Sequence, residues 1–261
     1  MRYLSLVIIL LVFFISCESK RSTTRSAQEL ISNNQIMSER ADPDGVPDSG
    51  LATRVVTAEE LLNINRSEPN LTPGACKEIL ARLNTKAPYH ISDDIREGRP
   101  LKAPNDFRAY RDWTPLPKEI ADLAHVPKSI LIIKEEFPFM GWYEHGKLVA
   151  DTYACIGRAG EETKVGVYRV ADRDPDKVSL SYKNPYGQPA MMPWAMRIYG
   201  HVWIHAGDVT DAYCSHGCII LPPDPAQDAY YWADMGTLVL VVDSAKDLQN
   251  GTWQRAKERD Q

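Results

Sequence analysis

Three of the chain's six histidines and two of its five cysteines lie between His201 and Cys218, in the run His-Val-Trp-Ile-His-Ala-Gly-Asp-Val-Thr-Asp-Ala-Tyr-Cys-Ser-His-Gly-Cys. Thiols and imidazoles at that density can hold a metal, form a disulfide beside packed histidines, or act as a nucleophile and its base. His201 and His205 have the four-residue spacing of helical zinc ligands, but Val202-Trp203-Ile204 favours a strand, along which four residues span about 13 Å. Histidines that far apart do not share an ion whose bonds are about 2 Å long, and a fourth well-spaced ligand to join His216 and Cys218 is missing. No metal and no organic cofactor is expected. A bridge between Cys214 and Cys218 requires Ser215-His216-Gly217 to turn back sharply. Nucleophilic catalysis suits the pattern better: Gly217 has no Cβ and permits a turn that exposes the Cys218 sulfur, and backbone N–H groups in such a turn suit a developing oxyanion.

The elements that must position these groups follow from the texture of the chain. After Pro127 short β-branched and aromatic runs alternate with Gly and Pro, the pattern of a mainly β domain. Strands are expected at Ser129 to Lys134, Phe139 to Tyr143, Lys147 to Ile156, Val165 to Val170, Val178 to Tyr182, His201 to His205 and Thr237 to Val242, with a helix from Pro225 to Met235. Cys155 falls on a strand and reads as a buried residue, whereas Cys214, four residues before Cys218, allows a redox lock. Tyr186 to Tyr199, rich in Met, Pro and aromatics, suits either a flap or core packing. Ahead of this domain, Thr57 with Glu60 forms a capping box for a short helix through Leu62, and Thr72-Pro73 opens a second through about Asn84 with Cys76 on its apolar face. Pro88 to Pro127 reads as an irregular connector with a short helix near Lys118 to Ala124.

The chain has 261 residues and a net charge of -5, and lacks a basic run with interleaved aromatics, which argues against nucleic acid as a partner. Leu4 to Ile15 is too short to span a bilayer but suits the apolar core of an export signal, with Arg2 before it and Ser16-Cys17 after it. Phe14-Ile15-Ser16-Cys17 resembles a bacterial lipobox, which implies lipidation of Cys17 and a membrane-tethered, periplasm-facing chain in an oxidising compartment. The expected organisation is a signal peptide at 1–16, a flexible tether at 17–51, a helical and Pro-rich region at 52–126, a catalytic domain at 127–243 and a polar tail at 244–261. Within the tether, Asp42-Pro-Asp-Gly-Val-Pro-Asp48 reads as an acidic turn, since one copy lacks the ligands for calcium.

Ser215-His216-Gly217-Cys218-Ile219, preceded by Ile204-His205-Ala206-Gly207, resembles the signature of the L,D-transpeptidase (YkuD-type) catalytic domain. Gly157 with Thr163 to Tyr168, Met192 to Met196, and Asp228 to Val242 are similar to further segments of that family. The resemblance implies a β-sandwich with short helices behind a small helical and irregular N-terminal region. It also implies a peptidoglycan L,D-transpeptidase in which Cys218 forms a thioester with a stem tetrapeptide and passes it to an amine, giving a 3→3 cross-link. His205 would be the base, oriented through Ala206 or Gly207; Gly217 and Cys218 would supply oxyanion amides; Ser215 and His216 would shape the pocket. Arg197, Trp194 and Tyr199 are candidate substrate contacts. Ile220 stands where the family usually has Arg, and Lys164 where it has Pro. The alternatives are an L,D-carboxypeptidase or endopeptidase, and a non-catalytic peptidoglycan-binding lipoprotein.

Overall fold

The computed structural model describes residues 50–184 and 186–249, so the export signal, Cys17, the Asp42 to Asp48 turn and the chain beyond residue 249 lie outside the described residues. The described chain opens with strand β1, Leu51–Val55, and helix α1, Ala58–Ser67, whose start is fixed by the Thr57 hydroxyl accepting the Glu60 N–H at 3.1 Å. Helix α2, Pro73–Asn84, starts in the same way at Thr72 and buries Cys76, Ile79, Leu80 and Leu83, as its apolar spacing requires. The expectation of an irregular segment after Pro88 needs correction: Pro88–Glu97 is a third helix, α3. Proline at a first helical position loses no hydrogen bond, and Gly98 at φ 65° closes the helix, so the two residues that look like breakers are its ends. Strand β2, Pro100–Pro104, returns antiparallel along β1, so the N-terminal region is not purely helical. The expected helix at Lys118 to Ala124 is a single 3₁₀ turn, Ala121–Leu123.

Asp94 on α3 is nearly fully buried, where Lys86 Nζ reaches its carboxylate at 2.8 Å and Arg99 Nε at 2.5 Å. Burial alone pushes this carboxyl upward, but the two cations outweigh it and hold it below the ordinary aspartate value. A carboxyl depressed on folding stabilises the fold above its unfolded value of about 3.9, and loses that contribution as pH falls through the lower folded value. Asp94→Asn is therefore expected to cost about 1.5–2 kcal/mol at neutral pH, the low end for hydrogen bonds to charged groups, because Lys86 and Arg99 both reach solvent. Chemical denaturation from pH 7 to pH 3 checks it: the gap between variant and native protein should shrink in acid.

Residues 128–242 form two facing sheets. Strands β3 (Lys128–Ile133), β4 (Phe139–Glu144), β5 (Lys147–Tyr153) and β6 (Gly166–Arg169) belong to the first, together with a later strand, Leu238–Val242. Strand β7 (Asp172–Asp174) starts the second sheet, and β8 (Val178–Lys183) pairs with β9 (Pro189–Met191) as an exposed hairpin. Then β10 (Ala195–Tyr199), β11 (Val202–Ala206) and β12 (Ile219–Leu221) complete the second sheet, before helix α4 (Pro223–Trp232), strand β13 (Leu238–Val242) and a last helical turn, α5 (Lys246–Gln249). The sheet orders are β5-β4-β3-β13-β6 and β12-β11-β10-β7. The Tyr186 to Tyr199 segment thus splits: its start lies in the exposed hairpin, while Ala195, Met196 and Ile198 are buried in the second sheet.

Both faces of the first sheet are covered, which explains its unbroken apolar runs. Ile130, Ile132, Val239 and Val241 point into a core shared with Ile204, Ile219, Leu221 and α4. The alternate residues Leu131, Ile133, Leu238, Leu240 and Val242 point the other way, into a core shared with Leu80, Leu83, Ile91 and Trp113 of the N-terminal region. The buried Leu248 on α5 joins this second core, so the tail is apolar at its first turn.

Candidate active site

His205 and Cys218 come from neighbouring strands. β11 and β12 pair in parallel with Ile204 opposite Ile219 and His205 opposite Ile220, so the thiol sits one residue before β12 and on the same sheet face as Trp203, His205 and Ile220. Side chains alternate along both strands, which leaves Ile204, Ile219 and Leu221 in the inter-sheet core. Cys218 packs with Met192, Ala195 and Trp203, and its Sγ lies 3.8 Å from the carbonyl oxygen of His201. His201 itself is exposed, so of the two histidines the structure buries only His205 beside the thiol's strand.

His205 is 7% exposed, and its Nδ1 lies 2.8 Å from the carbonyl oxygen of Ala206. A carbonyl only accepts, so Nδ1 carries the proton and Nε2 is left as the basic nitrogen. Burial lowers the His205 pKa, with the Ala206 bond opposing, and burial raises that of Cys218, with the Trp203 backbone opposing. At neutral pH the resting pair is therefore a neutral imidazole and a protonated thiol, which suits proton transfer during attack.

The turn before Cys218 is built from hydrogen bonds among its own residues. Ser215 Oγ donates to the Cys218 carbonyl at 2.6 Å and accepts the Gly217 N–H at 3.1 Å. That second bond corrects the expectation for Gly217: its amide is already engaged, whereas the Cys218 amide makes no such bond among the described residues. Gly217 is needed for another reason, its φ of +109°, which side chains disfavour. Thr163, fully buried, donates to the Gly217 carbonyl at 2.9 Å and accepts the Gly157 N–H at 3.0 Å. Gly157 leaves no room for a Cβ, which would stand 2.1 Å from the Glu161 carbonyl oxygen. Thr163 received no role from sequence reasoning; only its place in the segment after Gly157 marked it.

The other candidates separate. Tyr199 packs against the inter-sheet core yet lies near the thiol: its hydroxyl accepts the Lys164 N–H at 2.8 Å, and its pKa is raised by burial and by the nearby Cys218, against that bond. The exposed ring of His216 stacks on Tyr182 of the β8–β9 hairpin at 4.0 Å and faces Glu161 at 4.0 Å. Trp194 has a φ of 58° and packs its ring on Tyr230 and Tyr231 of α4, with the inter-sheet core rather than with the thiol. Arg197 is turned to Asp172 at 3.8 Å, and Arg158 to Glu161 at 2.6 Å. Trp203 and Met192, which sequence reasoning passed over, are the thiol's actual apolar neighbours.

Ile220 and the His205 ring flank the same glycine: a Cβ on Gly207 would stand 2.8 Å from Ile220 Cγ2 and 3.9 Å from His205 Cε1. Cys155 contributes to this wall and is not a free thiol, since it is bonded to Cys214. An arginine at position 220 would put a longer, charged side chain into a half-buried apolar site. Ile220→Arg is expected to lose about 1–3 kcal/mol of stability and to gain no acylation rate. Melting and acylation measured on one sample check this; a stable, faster variant would contradict it.

Residues 127–241 match the YkuD family model, described as the L,D-transpeptidase catalytic domain. Among solved structures, the chain is similar to an L,D-transpeptidase from Mycobacterium smegmatis, with 22% identity over 44% of this chain and 59% of that one, at a TM-score of 0.39. It is also similar to the catalytic domain of the Enterococcus faecium L,D-transpeptidase, with 28% identity over 44% of this chain and 96% of that one, at 0.38. L,D-transpeptidase 3 from Mycobacterium tuberculosis gives 18% identity over 45% and 61%, at 0.40. The chain thus spans about three fifths of the length of the mycobacterial proteins it matches. No curated protein sequence matches it.

Proposed function

We propose that the protein is a peptidoglycan L,D-transpeptidase that uses Cys218 as nucleophile and His205 as base. The observation that carries this reading is the setting of His205: a buried ring whose Nδ1 lies 2.8 Å from the Ala206 carbonyl oxygen, on the strand paired with the one that follows Cys218. Cys218 Sγ attacks the carbonyl carbon of a donor stem peptide while its proton passes to His205 Nε2. The Cys218 N–H stabilises the tetrahedral oxyanion. His205 then returns the proton to the leaving amine, D-alanine, and a thioester remains. An amine of a second stem attacks the thioester, giving up its proton to His205, and restores the thiol. Water in place of that amine would make a carboxypeptidase.

The cell envelope is the setting such a substrate requires, and we extend the reading to lipid anchoring through Cys17, on the lipobox-like run before it. Among the described residues no helix is long and apolar enough to cross a membrane. The test of function is mass spectrometry of purified protein with disaccharide tetrapeptide. A thioester at Cys218 followed by cross-linked dimers is expected; accumulation of tripeptide alone would make the enzyme a hydrolase, and no adduct would leave a binding protein.

A further inference from the structure

Directly behind the nucleophile turn lies a covalent tie that the mechanism above does not use: the disulfide between Cys155 and Cys214, separated by 59 residues in sequence, with Cα atoms 5.7 Å apart. We propose that this disulfide is a positioning element for the Cys218 turn, so that the site reaches full acylation rate only while the bond is closed. The proposal rests on the functional reading above.

The chain from Gly207 to Cys218 leads from the histidine to the thiol, and two different parts of the fold hold it. Its first half is held by the N-terminal region. The Ala87 N–H donates to the Val209 carbonyl at 2.8 Å, His90 Nε2 lies 2.8 Å from Asp208 Oδ1, the Tyr89 hydroxyl donates to the same oxygen, and Val209 is fully buried. Its second half is held by the segment around Cys155. Ile156 N–H donates to Ala212 O at 2.9 Å, Ser215 N–H to Ile156 O at 3.1 Å, and Arg158 N–H to Ser215 O at 3.0 Å.

Cys155 also exchanges two backbone hydrogen bonds with Ile220, at 2.9 and 2.8 Å. One residue is thus fastened to both sides of the nucleophile: covalently to Cys214 before it, and by ladder bonds to Ile220 after it. Ser215, whose hydroxyl orders Gly217 and the Cys218 carbonyl, follows Cys214 directly. His205 is placed by the pairing of its own strand with β10 on one side and β12 on the other. Opening the bond would therefore loosen the turn that carries the thiol and its amide more than the base, whose strand is paired on both sides. A misplacement of about 1 Å is enough to cost roughly 10²-fold in rate.

Opening needs a reductant. A dithiol would deliver two electrons and two protons, leaving Cys155 and Cys214 as thiols and itself becoming a disulfide. An exported chain meets the oxidising conditions that keep the bond closed.

The experiment uses the full chain in three forms: native, native reduced by a dithiol that is removed before assay under nitrogen, and the double variant Cys155→Ala/Cys214→Ala. Non-reducing peptide mapping first establishes the link in the native form. Three rates are then compared well below the melting temperature: saturating acylation of Cys218 by a carbapenem, its half-saturation concentration, and alkylation of Cys218 by iodoacetamide, which needs no oxyanion site. Both open forms should lose 10- to 100-fold in saturating acylation rate, with half-saturation and alkylation within threefold of native. Hydrogen exchange should rise at residues 212–217 and stay unchanged at 207–210. Acylation within twofold of native in the reduced protein would overturn the proposal, as would an equal loss of acylation and alkylation, which marks general loosening. If the double variant fails to fold, the reduced native chain carries the comparison, since no side chain has been removed from it. If the native protein with its bond closed does not acylate at all, the functional reading fails, and exchange at 212–217 alone decides the positioning role.

Discussion

Cys218→Ala is expected to abolish acyl transfer while leaving the melting temperature within a few degrees of the native value. The side chain lost is small, half-buried, and touches Met192, Ala195 and Trp203 without joining the main inter-sheet core, so the cavity left is minor. The turn that carries it is held by Ser215 and Thr163 through backbone groups that alanine retains. What disappears is the only group in the site able to form a thioester. Intact-mass analysis after incubation with a carbapenem should show the adduct on the native chain and none on the variant. Cys76, the other free cysteine among the described residues, is buried and pushed up to about 11 by desolvation, so it will not substitute.

His205→Ala should lower the acylation rate by roughly 10²–10⁴-fold, the usual contribution of a positioned general base. The reason is specific to this pair: burial holds the thiol above its ordinary value, so little thiolate exists at neutral pH without a base to take the proton. Because burial also lowers the His205 pKa, the acid limb of the native pH–rate profile should lie below the ordinary imidazole value of about 6.5. In the variant that limb should vanish and the rate should climb through alkaline pH with the thiol's own ionisation. His201→Ala should change the rate by less than about threefold, since only the backbone oxygen of His201 reaches the thiol. A larger effect at His201 than at His205 would mean that the base has been misassigned.

Local chemistry was legible in the sequence where neighbours in the chain are also neighbours in space. Ser215 to Cys218 is one turn, and Ile204 to Gly207 one strand end, so spacing singled out the turn before Cys218 and argued against a shared zinc, while His205 was named as its partner through the family resemblance. The Thr57 and Thr72 caps were readable for the same reason, since each acts three residues ahead. What escaped were relations across long sequence distances. Cys155 looked like an ordinary strand residue because nothing local says that Cys214 stands opposite it. Helix α3 was missed because Pro88 was read as a breaker when its position makes it a start. The engagement of the Gly217 amide depends on which way the Ser215 hydroxyl turns, and the placement of the Trp194 ring depends on a left-handed backbone. Neither has a signal in residue type.

The two-sided burial of the first sheet bears on what counts as a transferable module. The family boundary falls at residue 127, yet Leu131, Ile133, Phe139, Tyr143, Tyr153 and Leu240 bury their side chains against the preceding helices. At roughly 1.5–3 kcal/mol each, six such side chains represent about 9–18 kcal/mol of burial. That is as large as the entire net stability of a typical domain, about 5–15 kcal/mol. Cutting the chain at Pro127 would strip one wall from the core and expose a broad greasy sheet. A graft of this segment onto another protein would have to carry residues 50–126 with it.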